Sequence, residues 1–451
     1  MSNHEKYDTH RKALALNLDP TIFGSFAEIG AGQEVARWFL QVGGASGTVA
    51  KTISAYDKEI SDHLYGIGTR YVSKARLQAM LETEWAQLLG QLQNSRAANT
   101  KFFSFVDTVS ARNYTGTNDC HGWVGLRFQR IPRGAPNEII LHVNLRDTSN
   151  GAQQEAVGIL GVNLIDAAFH ALGTPEEFLA NVSEELGLLR VEIDCLECNG
   201  PVFEGWDPNE IHASLVTGGY AEAVVFSADN QLLPSNEVLY KRVLVLAPGG
   251  FDNASQLQAN LIRDTLAQLP KQELVESKGR LGLFCLSVAG IHPPDSNFPL
   301  REILSHVNTL RKLRSGVVLF RARELYKMSG YVNRYTTSRI HFAIGLTVLL
   351  RVLDDRYKDL PGTLLEGIAR LFMQNVRVNV YPMAAEEVRR RVDLAGLTGW
   401  RWKEKDGMIA ADDLYPPKPL DHLYRYLLDS EFIVPEKPAT QLSSLRIVRT
   451  G

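Results

Sequence analysis

Stretches with apolar residues at helical spacing alternate along this chain with stretches of period two, and their order predicts most of its elements. Gln33 to Gln41 carries Val35, Trp38 and Phe39 at helical spacing. Lys74 to Gln93 is fuller: Leu77, Met80, Leu81, Trp85, Leu88, Leu89 and Leu92 form one stripe, with Ser73 as its N-cap. The spacing then shortens to strands at Phe102 to Val109, Trp123 to Gln129 and Glu138 to Arg146. The last two are expected to form a hairpin across RIPRGAPN, whose Pro and Gly residues mark a turn. In EIILHVNLR, Ile139, Leu141, Val143 and Leu145 share one face, while His142, Asn144 and Arg146 take the other.

The segment from Ala152 to Leu172 is apolar nearly all round, which predicts a buried helix. A polar helix near 175–186, a strand over 189–198, a helix near 208–216, strands over 221–228 and 241–248, and a helix near 255–269 follow. From about residue 280 strands and helices alternate, including GVVLF, RIHFAIGL and VRVNVYP, with helical stretches over 299–314, 322–335 and 347–374. That alternation predicts a mostly parallel sheet covered on both faces. Helices near 384–394 and 420–429 close the pattern. The chain is expected to be a mixed α/β protein with three parts: a helical N-terminal region over 1–100, a central α/β domain with antiparallel strands over 101–272, and a mostly parallel α/β domain over 273–451.

Composition narrows the partners. Hydrophobic residues at 45% and charged residues at 22% are ordinary globular usage for a chain of 451 residues. A net charge of −3 argues against nucleic acid and anionic membrane as partners. No apolar run reaches the length of a membrane span, the polar N-terminus leads into no export-signal core, and Cys120, Cys195, Cys198 and Cys285 are too few for a disulfide-built fold. A cytoplasm is the expected location.

Three segments carry candidate chemistry. In EIGAGQEV, Gly30 and Gly32 precede a helix in the order of a dinucleotide fingerprint, but Val35 stands where the third glycine belongs and no second strand leads into Asp57. In GGASGTVAKTIS, the phosphate-loop pattern fails at Ala45 and Ala50. Gly43, Gly44 and Gly47 could still offer backbone N–H groups to an anion, with Lys51 as a point charge. The simpler reading is a helix C-cap and turn. The loop between two strands, ARNYTGTNDCHG, collects Arg112, Asn113, Asp119, Cys120 and His121, with His121 as general base and Asp119 beside it. Its simpler reading is a turn built from Asn, Asp and Gly. Glu155 is a further catalytic candidate that needs a partner if buried, and Glu192 and Asp194, on one strand face, could hold a divalent metal. No cofactor is indicated, and G-x-S-x-G and H-E-x-x-H are both missing.

Taken together, FAEIGAGQEVARWF, GTVAKTISAYD, ARNYTGTNDCHGWVGLRFQ, AQQEAVGILGVNL, NRYT and NVYP resemble one bacterial family of poorly characterised proteins, some labelled nicotinate-nucleotide adenylyltransferase. The resemblance runs over most of the chain and is weakest at 250–320. It implies a soluble α/β protein. It transfers no catalytic residue, because none of the 11 histidines sits in the H-x-G-H motif of those transferases. The leading expectation is an enzyme acting on a phosphate-bearing small molecule or nucleotide, with a homo-oligomer left open. It requires Lys51, Arg112 and His121 within about 10 Å of one pocket. The alternative is a scaffold that presents Arg127, His142, Asn144 and Arg146 as a binding face.

Overall fold

The computed structural model describes residues 8–30, 33–68, 70–229, 231–249, 255–274, 277–291, 300–354, 359–373 and 375–437. The chain divides into two compact units, Met1–Glu222 and Ala223–Gly451, instead of breaking at 100 and 272. Strand pairing is the reason. The N-terminal region supplies β1 (Ile22–Gly30) and β2 (Val49–Ile53), and both lie parallel in one sheet with β3 (Lys101–Ser110). Neither strand shows clean alternation: β1 is buried on both faces and β2 is a five-residue edge, so periodicity does not separate them from helix or loop.

The sheet of the first unit continues antiparallel through β4 (His121–Phe128), β5 (Asn137–Leu145) and β6 (Val191–Asn199), in the order β2-β1-β3-β4-β5-β6. Helix α1 (Thr9–Leu18) precedes β1, and α2 (Glu34–Gln41) links β1 to β2. Helices α3 (Lys58–Tyr65) and α4 (Lys74–Leu92) then carry the chain back past β1 to β3. The strand order therefore reverses at β1/β3, where open α/β sheets offer a crevice beyond the carboxyl ends of the strands.

Each face has its own core. Phe26 meets Phe39 of α2, and Phe103 meets Phe169 of α5 (Asn150–His170), so α2 and α5 cover that side. On the other, Ala27, Ile29, Val106, Trp123 and Ile140 pack against Leu77, Met80 and Leu81 of α4. Helix α5 is buried nearly all round, as its composition predicts, with Ser149 as N-cap.

The second unit has, among the described residues, an eight-stranded sheet centred on Val243–Pro248, which lies parallel to both Arg280–Ser287 and Ile340–Gly345. The strands near 221–228 and 241–248, expected in the central domain, belong here. The pairs are parallel except at the edge strands Ala223–Phe226 and Leu232–Leu233. The mixed α/β class and the mostly parallel C-terminal sheet are thus as the alternation predicts. His341 is a buried core residue between Asn379 and Glu273, and Arg390 and Arg391 pair with Glu387 on a solvated helix. None of the four cysteines forms a disulfide among the described residues. No helix among the described residues is long and apolar enough to cross a membrane.

Candidate functional site

At one end of the first sheet, β4, β5 and β6 each bring one polar side chain to the face that α4 covers. His121 opens β4, and Trp123, two residues on, is paired with His142 of β5. The β5–β6 register shifts after His142: His142 pairs with Cys195 and Val143 with Ile193, leaving Asp194 as an extra residue. Such a bulge re-aims a side chain. Here it delivers Asp194 Oδ1 to His142 Nδ1 at 2.5 Å, and His142 Nε2 lies 3.0 Å from His121 Nδ1. Asp194 and His142 are fully buried, and the Trp123 ring packs edge-on against His142 at 4.9 Å.

The carboxylate assigns the tautomers along this chain. Asp194 accepts from His142 Nδ1–H, so His142 Nε2 accepts from His121 Nδ1–H. The His121 Nε2 then carries the lone pair. Burial, then the His142 ring and the Arg70 charge, push His121 down to about 4 against the opposing pull of Asp194. Burial also raises the Asp119 carboxyl, with Asp194 adding to the rise and His142 opposing it. A base pushed down beside an acid pushed up is the pattern of an acid–base pair.

The loop before β4 is held by Asn118, whose amide donates to Ser110 Oγ and the Ala111 carbonyl. Asn113 accepts from Thr117 N, Arg112 N donates to Gln153 Oε1, and the Arg112 guanidinium folds over Gly116. Arg112 and Asn113 thus build the turn, and Asp119 and His121 stand at its end. Asp194, proposed from sequence as a metal ligand, joins them through His142. Glu192 does not: it pairs with Arg146 and accepts from Glu222 N. No group of three or more His, Cys, Asp or Glu poised for a metal occurs among the described residues.

The other expected residues lie elsewhere. Glu155 is on the exposed side of α5, paired with Arg190 at 2.8 Å, because the helix buries its apolar residues and leaves this one outward. Gly43 and Gly44 adopt positive φ and close α2, where the buried Asn17 amide donates to the Phe39 and Gly43 carbonyls. Gly47 N donates to the Gly44 carbonyl, so this amide is spent within the turn and not on an anion.

GTVAKTIS is β2, a second strand leading into Asp57, which caps α3. Gly30 ends β1 at positive φ, and Gly32 lies outside the described residues. The α2 amides that a pyrophosphate would need are taken: Val35 N and Ala36 N donate to the Glu28 carboxyl at 3.0 and 3.2 Å.

Lys51 pairs with buried Glu84 at 2.6 Å. It lies level with Ser104 of β3, whereas His121 lies level with Ser110. The two residues are thus about 20 Å apart along the strands and about 14 Å across them. The single pocket expected for Lys51, Arg112 and His121 does not form. Lys51→Met should leave phosphate affinity unchanged and lower stability by about 1–3 kcal/mol, since it strips a buried carboxylate of its charge partner. Phosphate titration and chemical unfolding of the variant check both halves.

The scaffold face fares no better in its expected form. Arg127 pairs with Glu138, Arg146 with Glu192, and His142 is buried.

No family model matches this chain, and no curated protein matches it. Solved structures do. A competence/damage-inducible protein CihA from Agrobacterium tumefaciens is 20% identical over 37% of this chain and 98% of its own, with a TM-score of 0.26. A competence or damage-inducible protein from Enterobacter asburiae is 14% identical over 36% of this chain and 99% of its own, with a TM-score of 0.27. A CinA superfamily protein from Klebsiella pneumoniae is 16% identical over 39% and 98%, with a TM-score of 0.25.

Proposed function

We propose that the first unit is an enzyme that transfers a proton on an anionic small molecule, with His121 as general base. The observation that carries this reading is the Asp194–His142–His121 chain, a base oriented by a second ring that a buried carboxylate orients in turn. Held down to about 4, His121 rests neutral at physiological pH, the state from which a base accepts a proton. When Nε2 takes a proton, the Nδ1 proton can move toward His142, and the charge is met by Asp194. Asp119, whose carboxyl burial raises, stands at the same loop end and is assigned as the acid that returns a proton. Arg70 is an exposed cation whose charge acts on His121, which supports an anionic substrate. Phosphate-bearing molecules are the class to test first, with Arg70 in the role that sequence alone gave to Lys51.

The test is untargeted. The protein is incubated in D2O with a pool of phosphorylated and carboxylated metabolites, and conversion or deuterium uptake is read by mass spectrometry. One component should change with wild type, and His121→Asn should slow that change by about 10²–10⁴-fold. Arg70→Ala should raise KM more than it lowers kcat. An unchanged pool, or equal conversion by His121→Asn, would defeat the proposal.

A further inference from the structure

Helix α3 turns its aliphatic side chains the wrong way for a helix that serves only its own fold. It buries Ser61 and Tyr65 and leaves Ile60 55% and Leu64 36% exposed. These two stand one turn apart and are neighbours on the outer face. Tyr56, just before the helix, is 77% exposed, and Ile67, just after it, 95%. Single exposed apolar residues are ordinary. Four large ones between Tyr56 and Ile67 make a row of a few hundred Å², the kind of patch that marks an interaction site.

The inner face already has its partners. Tyr65 donates to Glu84 at 2.9 Å, Asp62 pairs with Arg76, and the Asp57 side chain caps the helix. The outer face has a charge pattern of its own. Glu59 in the first turn and His63 in the last are both exposed, one turn apart on one flank of the row. Neither makes an ion pair among the described residues.

We propose that this face of α3 is the centre of a homodimer interface, in which two copies of the chain pack the row from Tyr56 to Ile67 against itself, antiparallel. A two-fold interface needs one surface that complements itself, with each residue meeting its counterpart reciprocally. An axis between Ile60 and Leu64 meets that demand. Ile60 of each copy then packs on Leu64 of the other, and Glu59 of each faces His63 of the other. The four side chains supply an apolar centre for an interface of about 800 Å² on each copy, and Asp57, Glu59 and His63 its polar rim. An anionic membrane or nucleic acid fits less well, because Asp57 and Glu59 repel it. The interface borders the candidate site, since Arg70 follows Ile67 by three residues and its charge reaches His121. The dimer does not depend on the reaction performed there.

Sedimentation velocity of the full chain at micromolar to submillimolar concentrations tests this, and monomer should give way to dimer as concentration rises. Ile60→Asp and Ile67→Asp, both at exposed positions, should weaken the dimer at least about tenfold with an unchanged circular dichroism spectrum. Glu59→His and His63→Glu should each weaken it about threefold. The double exchange should restore it to within about twofold, because it rebuilds the same pairs in the opposite direction. A monomer at every concentration, a dimer indifferent to both aspartate variants, or a double exchange without rescue would overturn the proposal. So would a monomer that floats with vesicles of phosphatidylcholine and phosphatidylserine and is released by Ile60→Asp, for the row would then face lipid.

Discussion

Replacing Asp194 with Ala should destabilise the protein by about 3–5 kcal/mol. Asp194 and His142 are both fully buried and 2.5 Å apart. Deleting the carboxylate leaves an imidazole N–H in the core without its acceptor, and it removes the group that fixes the tautomers out to His121. Asp194→Asn is the sharper variant. Its volume is kept, and its side-chain oxygen can still accept from His142 Nδ1–H, so a good part of the stability should survive. What it lacks is the negative charge that meets a proton arriving at His121. Activity should therefore fall in Asp194→Asn by far more than its stability loss explains. The double variant Asp194→Ala, His142→Ala should cost less than the sum of the singles, since neither partner is then left alone. Chemical unfolding monitored by Trp fluorescence measures all of these. A loss under about 1 kcal/mol in Asp194→Ala would show that the relay is not a buried, coupled unit.

The sequence made part of this site legible and hid the rest for definite reasons. His121 and Asp119 stand out because a loop between two period-two segments concentrates polar residues. His142 is visible as a polar residue on an alternating strand, which suggests exposure, whereas the structure buries it. Alternation reports only that the two faces differ; it says nothing about which face is covered. Asp194 was legible as sharing a strand face with Glu192, but neither the partner strand that sets it against His142 nor the extra residue in the register is announced by any local pattern. The glycine-rich N-terminal stretch misled in the other direction. Its glycines serve a helix end and a strand end, and the informative residue was Glu28, an acid placed where a phosphate-binding turn would need none. Lys51 looked like a free cation because its partner, Glu84, lies on a helix 33 positions later. At fold level, helices with long amphipathic or apolar stripes were legible, and short strands buried on both faces were not. Missing β1 and β2 moved the first expected boundary; the strand Val243–Pro248 was legible, but the sheet it joins was not, and that moved the second.

Glu28→Gln should change how stability depends on pH, with the curves of variant and wild type crossing between pH 5 and pH 8. Burial, with Glu34 adding repulsion and the Val35 and Ala36 amides opposing, pushes the Glu28 carboxyl up from 4.5 to about 8. The folded chain therefore holds a proton that the unfolded chain has already lost. Stability falls wherever the fold binds more protons than the unfolded state, so it should decline as pH rises from about 4.5 to about 8 and level off outside that window. One such proton sets a slope of at most about 1.4 kcal/mol per pH unit. Asp107, raised by burial and by Glu28, adds to the decline and couples to it, so the pair titrates as a unit. Gln cannot ionise, which removes one proton from the balance. It also turns an NH2 group toward one of the two α2 amides that Glu28 accepts from, at 3.0 and 3.2 Å. That lost hydrogen bond should cost about 1 kcal/mol at every pH. The variant should accordingly be the less stable protein at pH 5, where Glu28 is neutral in the fold and nearly free of penalty. It should match or exceed wild type at pH 8, where the native carboxyl has been forced to ionise in the core. Glu28→Gln combined with Asp107→Asn should flatten the window further. Unfolding curves at four or five pH values decide the matter. Parallel curves for wild type and both variants would mean that the two carboxyls are ionised at neutral pH and carry no proton into the fold.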